Sequence, residues 1–413
     1  MNKPELLVPA SSLEVLKIAV IFGADAVYIG GEAFGLRAKA KNFSMEDMRE
    51  GIDFAHAHYV KVYVTANILA HNGDLDGVRH YFTELKELKP DALIISDPGI
   101  FAIAREICPE LDVHISTQAN NTNYGTYQFW HKLGAKRVVS ARELSLQEIA
   151  QIREHIPQDL EIETFIHGAM CISYSGRCLL SNYFTGRDAN RGACTHPCRW
   201  KYAVVEETRP GEYMPVYENE RGTYIFNSKD LCMIEHIPEL IEAGIDSFKI
   251  EGRMKTALYV ATVARTYRKA IDDYFISREQ YENNMPWYLE QIVGCTYRQF
   301  TTGFFFGKPD EHTQIYDNNT YVKEYTYLGI VGEKTDKGYR IEQRNKFSVG
   351  EQIEVMKPSG ENVPVIVKSI RDEEGNEIES APHPKQVLYI NLGQPLAKYD
   401  ILRRQEKEEQ ADE

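Results

Sequence analysis

The sequence contains no long hydrophobic run and few cysteines. No stretch of the 413 residues approaches eighteen consecutive uncharged apolar residues, so we expect no membrane span. Residues 1–9 include charged side chains and predict a strand rather than an export signal. We therefore expect a cytoplasmic protein, a compartment in which disulfides are rare. The chain also lacks the H-E-x-x-H and G-x-S-x-G motifs of common hydrolases, which argues against proteolysis.

The charge distribution along the chain is uneven. The net charge of −14 disfavours nonspecific binding to a polyanion such as RNA. Residues 171–201 reverse this sign, with five basic residues against one acidic residue, and residues 245–271 contain six basic residues against two acidic ones. Local positive patches on an acidic protein are typical of a selective RNA enzyme rather than a general RNA-binding protein.

Four of the seven cysteines lie within one short segment, with the spacing C-x6-C-x15-C-x3-C. They are Cys171, Cys178, Cys194 and Cys198. Disulfides, a structural zinc ion and an iron–sulfur cluster are the alternatives. Zinc usually takes closely paired cysteines, whereas a [4Fe–4S] cluster accepts wide and irregular gaps, so we favour the cluster. Cys232 is close enough in the sequence to replace one of the four as a ligand.

Short β-rich runs alternate with helical patterns over residues 1–275. Eight strands are predicted: Leu6–Pro9, Ala26–Gly30, Lys61–Thr65, Ala92–Ser96, Val113–Ser116, Arg137–Ser140, Glu161–Ile166 and Ser247–Ile250. Ser11 and Ser145, each followed by glutamate three residues later, predict helix starts. This count predicts an α/β fold of the (β/α)8 barrel type. A doubly wound sheet is the alternative, but no G-x-G-x-x-G motif follows the first strand.

A long insertion separates the seventh predicted strand from its helix. It covers residues 168–229 and contains all four clustered cysteines. Loops of this length are usually functional, and the active site of such a barrel lies at the carboxyl ends of its strands. We therefore expect the cysteines above the barrel mouth. Polar residues at the predicted strand ends are further site candidates: Asn67, Gln118, Arg142, His167, Glu251 and Arg253.

The segment Glu163–Cys178, with the sequence ETFIHGAMCISYSGRC, resembles the signature of the collagenase-like peptidase family of unassigned catalytic type. Residues Asn227–Leu231 and Lys249–Arg253 resemble its companion motifs. The resemblance implies an oxygen-independent hydroxylase with an iron–sulfur cluster. It is strongest to the tRNA-modifying branch, which makes 5-hydroxyuridine at the wobble position of the anticodon with prephenate as hydroxyl donor. Proteolysis, or hydroxylation of ribosomal RNA or a quinone precursor, is the alternative.

The resemblance gives the arginines a role, because prephenate carries two carboxylates and a guanidinium binds a carboxylate in two parallel hydrogen bonds. Arg253 is the first candidate for this contact, and with Glu251 and His167 it forms the predicted catalytic set. His167 is also a candidate for a buried core histidine or a cluster partner. The remaining residues are expected to bind substrate: Asn67, Gln118, Arg142, Arg177, Arg187 and Lys229.

Two groups of aromatic residues are candidates for stacking on an unpaired base of the tRNA anticodon loop. The first is Tyr124, Tyr127, Phe129 and Trp130, of which helical spacing predicts that half belong to the core. The second is Tyr174, Tyr183 and Phe184 in the cysteine loop.

The last third of the chain predicts a second domain. Residues 276–324 read as a connector of polar and aromatic loops, and residues 325–404 as a small antiparallel β-barrel. Its predicted strands are Leu328–Val331, Tyr339–Gln343, Gln352–Val355, Val363–Ile370 and Val387–Leu392. Residues 345–354 resemble the β-barrel modules of translation factors, so we expect this domain to place tRNA. Residues 405–413 are expected to form a disordered tail.

Overall fold

Eight parallel strands form a closed barrel, as the sequence predicts. The computed structural model describes residues 2–31, 34, 42–171, 174–175, 177–189, 193–199, 203–205, 213–215, 228–308 and 322–406. Numbered along the whole chain, the barrel strands are β1 (Glu5–Pro9), β2 (Ala26–Gly30), β3 (Lys61–Ala66), β4 (Ala92–Ile95), β5 (Asp112–Ile115), β6 (Arg137–Val139), β7 (Glu161–Ala169) and β11 (Ser247–Ile250). They pair in the order β11-β1-β2-β3-β4-β5-β6-β7, and the parallel pairing of β11 with β7 closes the ring.

Helices follow the barrel strands and cover the outside of the ring. They are α1 (Leu13–Ile21), α2 (Met45–Ala57), α3 (Leu75–Leu88), α4 (Pro98–Ile107), α5 (Tyr124–Lys132), α6 (Leu146–His155), α8 (Ile237–Glu242) and α9 (Ala257–Ile276). Ser145 and Glu148 form the predicted capping box of α6. The predicted start of α1 at Ser11 is wrong by one residue, because Ser12 has the extended backbone of an N-cap and its side chain accepts the Val15 N–H. Within the described ranges, no helix is long and apolar enough to cross a membrane.

The insertion after β7 leaves the barrel and returns to it at the same point. It contains α7 (Leu180–Thr185) and the antiparallel strands β8 (Ala203–Val205) and β9 (Tyr213–Pro215), and it ends in β10 (Asp230–Cys232). Strand β10 runs antiparallel to the end of β7, with Asp230 opposite Ala169 and Cys232 opposite His167. Because β6 pairs with β7 only as far as Glu163, β10 occupies the edge of β7 that β6 leaves unpaired. Both ends of the insertion are therefore fixed at the barrel mouth.

The connector is more regular than its composition predicts. It contains α10 (Arg278–Asn283), α11 (Met285–Ile292), β12 (Thr296–Tyr297), β13 (Phe300–Thr301) and, at its end, β14 (Val322–Lys323). The prediction of loops is wrong for the two helices, because Tyr281 and Tyr288 are buried in the barrel core. Strand β13 pairs with β10 and so extends the barrel wall at the mouth.

An eight-stranded antiparallel sheet forms the C-terminal domain and curls around its own hydrophobic cluster. Its strands are β15 (Tyr325–Thr335), β16 (Gly338–Gln343), β17 (Gln352–Met356), β18 (Asn362–Ile366), β19 (Ser369–Arg371), β20 (Glu377–Ile378), β21 (Val387–Asn391) and β22 (Ile401–Gln405). The predicted strand 363–370 is in fact two strands, β18 and β19, and β20 and β22 are additions. Strand β22 reaches Gln405, the first residue of the predicted tail, and residues 407–413 lie outside the described residues.

The C-terminal domain packs directly on the barrel. Met356 and Ile401 belong to the barrel's hydrophobic core rather than to that of their own domain. Arg265 of α9 donates hydrogen bonds to the carbonyl oxygen of Lys357 and to the Asn362 side chain. These contacts fix the domain beside the first and last barrel helices.

Candidate active site at the barrel mouth

Polar side chains at the ends of β3 and β5 form one hydrogen-bonded group. The Asn67 amide donates to Ser116 Oγ at 3.3 Å and to Gln118 Oε1 at 3.2 Å, and Ser116 Oγ donates to the same Gln118 oxygen at 2.8 Å. Asn67 and Gln118 were both predicted as substrate-binding residues, and the structure brings them together because parallel strands end at the same edge.

Arg253 follows β11 and reaches across the mouth to β3. Its Nη1 donates to Thr65 Oγ1 at 2.8 Å, and its side chain is buried. A Cβ atom at Gly30 would lie only 2.7 Å from this nitrogen, so a glycine at the end of β2 leaves the space for the guanidinium. The structure therefore holds a cation inside the mouth at the position predicted for carboxylate binding.

Arg142 joins the mouth to the cysteine loop. Its guanidinium lies 3.9 Å from the centre of the Phe165 ring, a cation–π contact that fixes its plane. Its edge faces three groups: Glu251 Oε2 at 3.6 Å, Ser175 Oγ at 3.3 Å and Cys171 Sγ at 3.9 Å. The side chain is only 9% exposed, so these contacts form in a largely water-excluded setting. Arg142 and Glu251, both predicted site residues, thus lie beside the first clustered cysteine.

His167 faces away from the mouth. Its ring contacts the rings of Tyr259, Tyr267 and Phe300, and Tyr267 Oη lies 3.4 Å from Nδ1. Burial lowers the pKa of His167 to about 3, a decrease that the Asp230 carboxylate opposes. The imidazole is therefore neutral at physiological pH and enclosed between the barrel wall and α9. This placement favours the core-histidine interpretation over a direct part in catalysis.

A chain of buried charges runs through the barrel interior below the mouth. Lys249 Nζ binds Glu163 Oε1 at 2.6 Å, and Arg137 Nη1 binds Glu163 Oε2 at 3.1 Å and Glu5 Oε1 at 2.5 Å. Burial lowers the pKa of Lys249, and the Glu163 carboxylate offsets part of that decrease. The Lys249 ammonium also lies over the Phe165 ring, the same ring that the Arg142 guanidinium contacts. This layer was not predicted from the sequence, although the charged residues at alternate positions of β7, Glu161 and Glu163, signal it.

Lys229 directly precedes β10 and is half-buried, and its role in substrate binding stays a prediction. Its neighbour Asp230 binds Arg298 of the connector, with Oδ1 at 3.0 Å from Nε and 2.5 Å from Nη2. Both side chains of this pair are almost fully buried. The pair ties β10 to the β12–β13 segment, so Asp230 and Arg298 maintain the wall of the mouth. Arg298 carries no signal in the sequence that distinguishes it from other arginines.

The four clustered cysteines form no disulfide in the part of the chain that the structure describes. Cys171 and Cys194 are exposed, and Cys178 and Cys198 are half-buried. Their chemistry fits an iron–sulfur cluster, because none of the four thiols is fully buried and Cys171 lies beside the Arg142 guanidinium, which favours the thiolate that ligates a metal. Among the residues that the structure describes, no three cysteine, histidine or carboxylate side chains converge as a metal-binding group. The ligand set therefore stays a prediction.

The alternative ligand Cys232 faces another direction. Its sulfur lies 3.7 Å from Tyr267 Oη of α9, beside His167 on the outer side of the barrel wall. Burial raises the pKa of Cys232 to about 11, which disfavours the thiolate that a metal requires. The structure thus favours ligands from the insertion alone.

The aromatic candidates divide between core and surface. Tyr127 and Trp130 are buried in the barrel core, whereas Tyr124 and Phe129 are exposed, which agrees with the predicted division of this group. In the cysteine loop Tyr174, Tyr183 and Phe184 are all exposed. Arg177 and Arg187 are exposed in the same loop, and their contact with substrate stays a prediction.

A cavity of about 1,100 Å³ lies between the barrel mouth and the C-terminal domain. The barrel contributes the first turns of α1 and α9, and the domain contributes Arg344, Asn345 and Lys385. Arg344 spans the two sides through a bidentate ion pair with Glu14, at 2.6 and 2.8 Å. The volume is slightly above the range for small-molecule pockets, roughly 300–1,000 Å³, so the cavity suits part of a larger ligand.

Comparison with known proteins places these features in one family. Residues 11–315 match the model of peptidase family U32, and residues 323–403 match the model of the peptidase family U32 C-terminal domain. The chain is 43% identical to "tRNA hydroxylation protein P1" of Bacillus subtilis (strain 168), over 98% of this chain and 95% of that one. It is 38% identical to "tRNA hydroxylation protein P" of Escherichia coli (strain K12), over 98% and 97%.

The name of a third relative refers to ribosomal RNA rather than to tRNA. The chain is 39% identical to "23S rRNA 5-hydroxycytidine C2501 synthase" of Escherichia coli (strain K12), over 66% of this chain and 40% of that one. The three matches and the two family models together cover the barrel, the cysteine loop and the C-terminal domain. The chain therefore belongs to peptidase family U32.

Proposed function

We propose that the protein is a tRNA-modifying enzyme that hydroxylates the wobble uridine of the anticodon to 5-hydroxyuridine, with prephenate as the hydroxyl donor. The observation that carries this proposal is the near-full-length similarity to two proteins named for tRNA hydroxylation. The match with the ribosomal RNA enzyme covers only 40% of that protein, which makes tRNA the better supported substrate.

The charge and the hydrogen-bonding groups of the mouth suit an anionic donor such as prephenate. Arg253 lies inside the ring, and the amide and hydroxyl groups of Asn67, Ser116 and Gln118 lie across from it on the neighbouring strand ends. A desolvated guanidinium binds a carboxylate strongly, and the amide cluster supplies neutral donors for a hydroxyl or a second carboxylate. We assign donor binding to these residues.

Arg142 couples the donor site to the cysteine loop. It holds Glu251 on one edge and faces Cys171 on the other, and Phe165 fixes its plane. In the proposed enzyme, Cys171, Cys178, Cys194 and Cys198 bind a [4Fe–4S] cluster, which supplies electron transfer or a Lewis-acidic iron. Arg142 and Glu251 then orient the donor and keep water away from the reacting oxygen, because both side chains are about nine-tenths buried.

The C-terminal domain is proposed to help bind tRNA. It forms one wall of the cavity beside the mouth, and it presents the exposed Lys385 there. A polynucleotide that reaches into the barrel with one base has to pass this wall or the cysteine loop on the way.

The test is the modified-nucleoside content of total tRNA from a strain that lacks this gene and any second copy. We expect 5-hydroxyuridine and its derivatives to be lost by mass spectrometry and restored by the wild-type gene but not by an Arg253→Ala variant. Unchanged tRNA with loss of a hydroxylated ribosomal nucleoside or of quinone would move the substrate to those alternatives. If nucleosides and quinone are unchanged and the purified protein cleaves denatured collagen, the result would support the peptidase interpretation instead.

A further inference from the structure

Helix α7 in the cysteine loop presents two contrasting faces. On one face Ser181 is fully buried, and its hydroxyl accepts the Thr195 N–H at 3.0 Å. Thr185, one turn later, lies 3.2 Å from the Thr195 hydroxyl and donates to the Ser181 carbonyl oxygen at 2.7 Å. This hydroxyl cluster holds the helix against the segment that contains Cys194 and Cys198. The opposite face of α7 is therefore held in a fixed orientation, away from this segment.

The outer face of α7 carries apolar and aromatic side chains in solvent. Leu179 and Tyr183 are one turn apart, joined by a backbone hydrogen bond from the Tyr183 N–H to the Leu179 carbonyl oxygen at 2.9 Å. Tyr183 is 81% exposed and Leu179 is 68% exposed. The Phe184 ring meets the Tyr183 ring edge-on, with centroids 5.2 Å apart and planes 82° apart, which restricts how the tyrosine can turn. The broad face of Tyr183 is thus held open to solvent.

Exposed cations precede and follow α7 in the sequence. Arg177 precedes the helix, and Arg187 follows Gly186, whose left-handed conformation (φ 65°) ends the helix. The surrounding segment, residues 171–201, has five basic residues against one acidic residue in a chain with net charge −14. A partner that stacks on an aromatic ring and carries negative charge on both sides of the stacked group matches this pattern. A single-stranded nucleic acid has this chemistry, whereas an acidic peptide seldom supplies a planar ring between two anions.

We infer that Tyr183 is a stacking platform for an unpaired base of the RNA substrate, a neighbour of the nucleotide that enters the barrel mouth, with Arg177 and Arg187 contacting the flanking phosphates. The inference rests on the proposed function for the identity of the RNA. The loop is suited to this role because both of its ends are fixed at the mouth, where Ala169 pairs with Asp230. Stacking on Tyr183 holds only one base of the RNA. An adjacent base of the same strand is therefore free to turn into the barrel mouth.

The experiment uses the full-length protein and a labelled anticodon stem-loop RNA, with affinity measured by fluorescence anisotropy. Tyr183→Ala should weaken binding roughly 5- to 150-fold, the range for loss of one base–aromatic stack. Tyr183→Phe retains the ring and should stay within about twofold of wild type. The matched control is Tyr59→Ala, which removes a tyrosine that is 96% exposed before β3, at the opposite end of the barrel. It should leave the affinity unchanged.

A series of abasic RNAs identifies the stacked nucleotide. Removal of that base should weaken binding to wild type but not to Tyr183→Ala, because the two losses concern one contact. Arg187→Gln should reduce the slope of log K against log salt concentration by about one. Equal affinity of Tyr183→Ala and wild type would overturn the inference, as would a concentration-dependent dimer that Tyr183→Ala dissociates, since the face would then bind a second copy of the chain.

The outcome separates this inference from the proposed function. If the wild-type protein binds the stem-loop through Tyr183 but tRNA from the deletion strain is normal, the platform stands and the hydroxylation proposal fails. If the deletion strain loses 5-hydroxyuridine and Tyr183→Ala restores it with unaltered RNA affinity, the hydroxylation proposal stands and the platform fails.

Discussion

The guanidinium of Arg298 and the carboxylate of Asp230 form an ion pair in the interior, with less than one-twentieth of either side chain exposed. The pair joins the strand that closes the cysteine loop to the connector that leads into the C-terminal domain. Two residues 68 positions apart in the sequence therefore connect β10, at the end of the cysteine loop, to the connector.

Breaking this pair on one side should be strongly destabilising. We expect Arg298→Met to lower the free energy of unfolding by about 3–5 kcal/mol, because it leaves Asp230 charged and buried without its partner. The double variant with Asp230→Leu should recover part of that loss. Urea unfolding of the wild type, the two single variants and the double variant gives the coupling energy. Arg278→Ala, which breaks an exposed pair with Glu282, is the control and should leave the free energy of unfolding nearly unchanged. Additive effects would contradict the direct interaction.

The buried His167 should make the stability of the protein depend on pH in the acidic range. Its pKa is about 3 in the folded protein and near 6.5 when unfolded, so between these values the unfolded chain binds the extra proton. Stability then falls as pH decreases, by about 1.4 kcal/mol per pH unit from this residue. We expect His167→Gln to flatten the dependence of the unfolding midpoint on pH between about 6 and 4. Parallel curves for the two proteins would contradict the assigned burial.

The cysteine ligands can be separated by iron analysis. After anaerobic reconstitution, the wild-type protein should bind close to four iron atoms per chain, the content of one [4Fe–4S] cluster. Ala variants of Cys171, Cys178, Cys194 and Cys198 should each lose most of it. Cys232→Ala should retain it, because that sulfur faces Tyr267 on the far side of the barrel wall. Zinc in place of iron, or iron loss only in Cys232→Ala, would contradict this ligand set.

Arg253 should matter for the donor more than for RNA. We expect Arg253→Ala to weaken prephenate binding by about 2–5 kcal/mol, the cost of removing a desolvated bidentate contact, while tRNA affinity changes little. Arg253→Lys should remain impaired, since an ammonium cannot bind a carboxylate in two parallel bonds. Isothermal titration with each ligand measures the two affinities, and the exposed Arg79→Ala is the control. Equal losses for both ligands would indicate a folding defect instead.

The C-terminal wall of the cavity should contribute to tRNA affinity through charge. Lys385 is exposed, lines the cavity and has a left-handed backbone (φ 64°) fixed by the hydrogen bond from its N–H to the Gln343 carbonyl oxygen. We expect Lys385→Ala to weaken tRNA binding and to reduce the salt slope by about one. Lys368→Ala removes an exposed lysine of the same domain outside the cavity and should have no effect. Filter binding over a salt series measures both. An unchanged salt slope for Lys385→Ala would indicate that this wall of the cavity does not contact the tRNA.

The barrel could be predicted because its signals are local. Hydrophobic strands followed by capped helices repeat along residues 1–275, and each repeat is readable without knowledge of the others. The same logic places Asn67, Gln118, Arg142 and Arg253 at the mouth, since the end of a parallel strand fixes the edge on which the next residue lies. Clustering of cysteines in one long insertion was likewise visible in the chain itself.

Only the tertiary structure decided which way individual side chains face. His167 and Cys232 are opposite each other on β7 and β10, and the antiparallel pairing of a strand from the insertion turns both towards α9. The partners Lys249–Glu163 and Asp230–Arg298 are 86 and 68 residues apart, so their charges are neutralised only when distant strands meet. Burial, which lowers the pKa of His167 and Lys249 and raises the pKa of Cys232, depends on the whole fold rather than on the neighbouring sequence. The sequence by itself therefore determined the barrel and the residues at its strand ends, while three-dimensional packing decided which of them face the mouth.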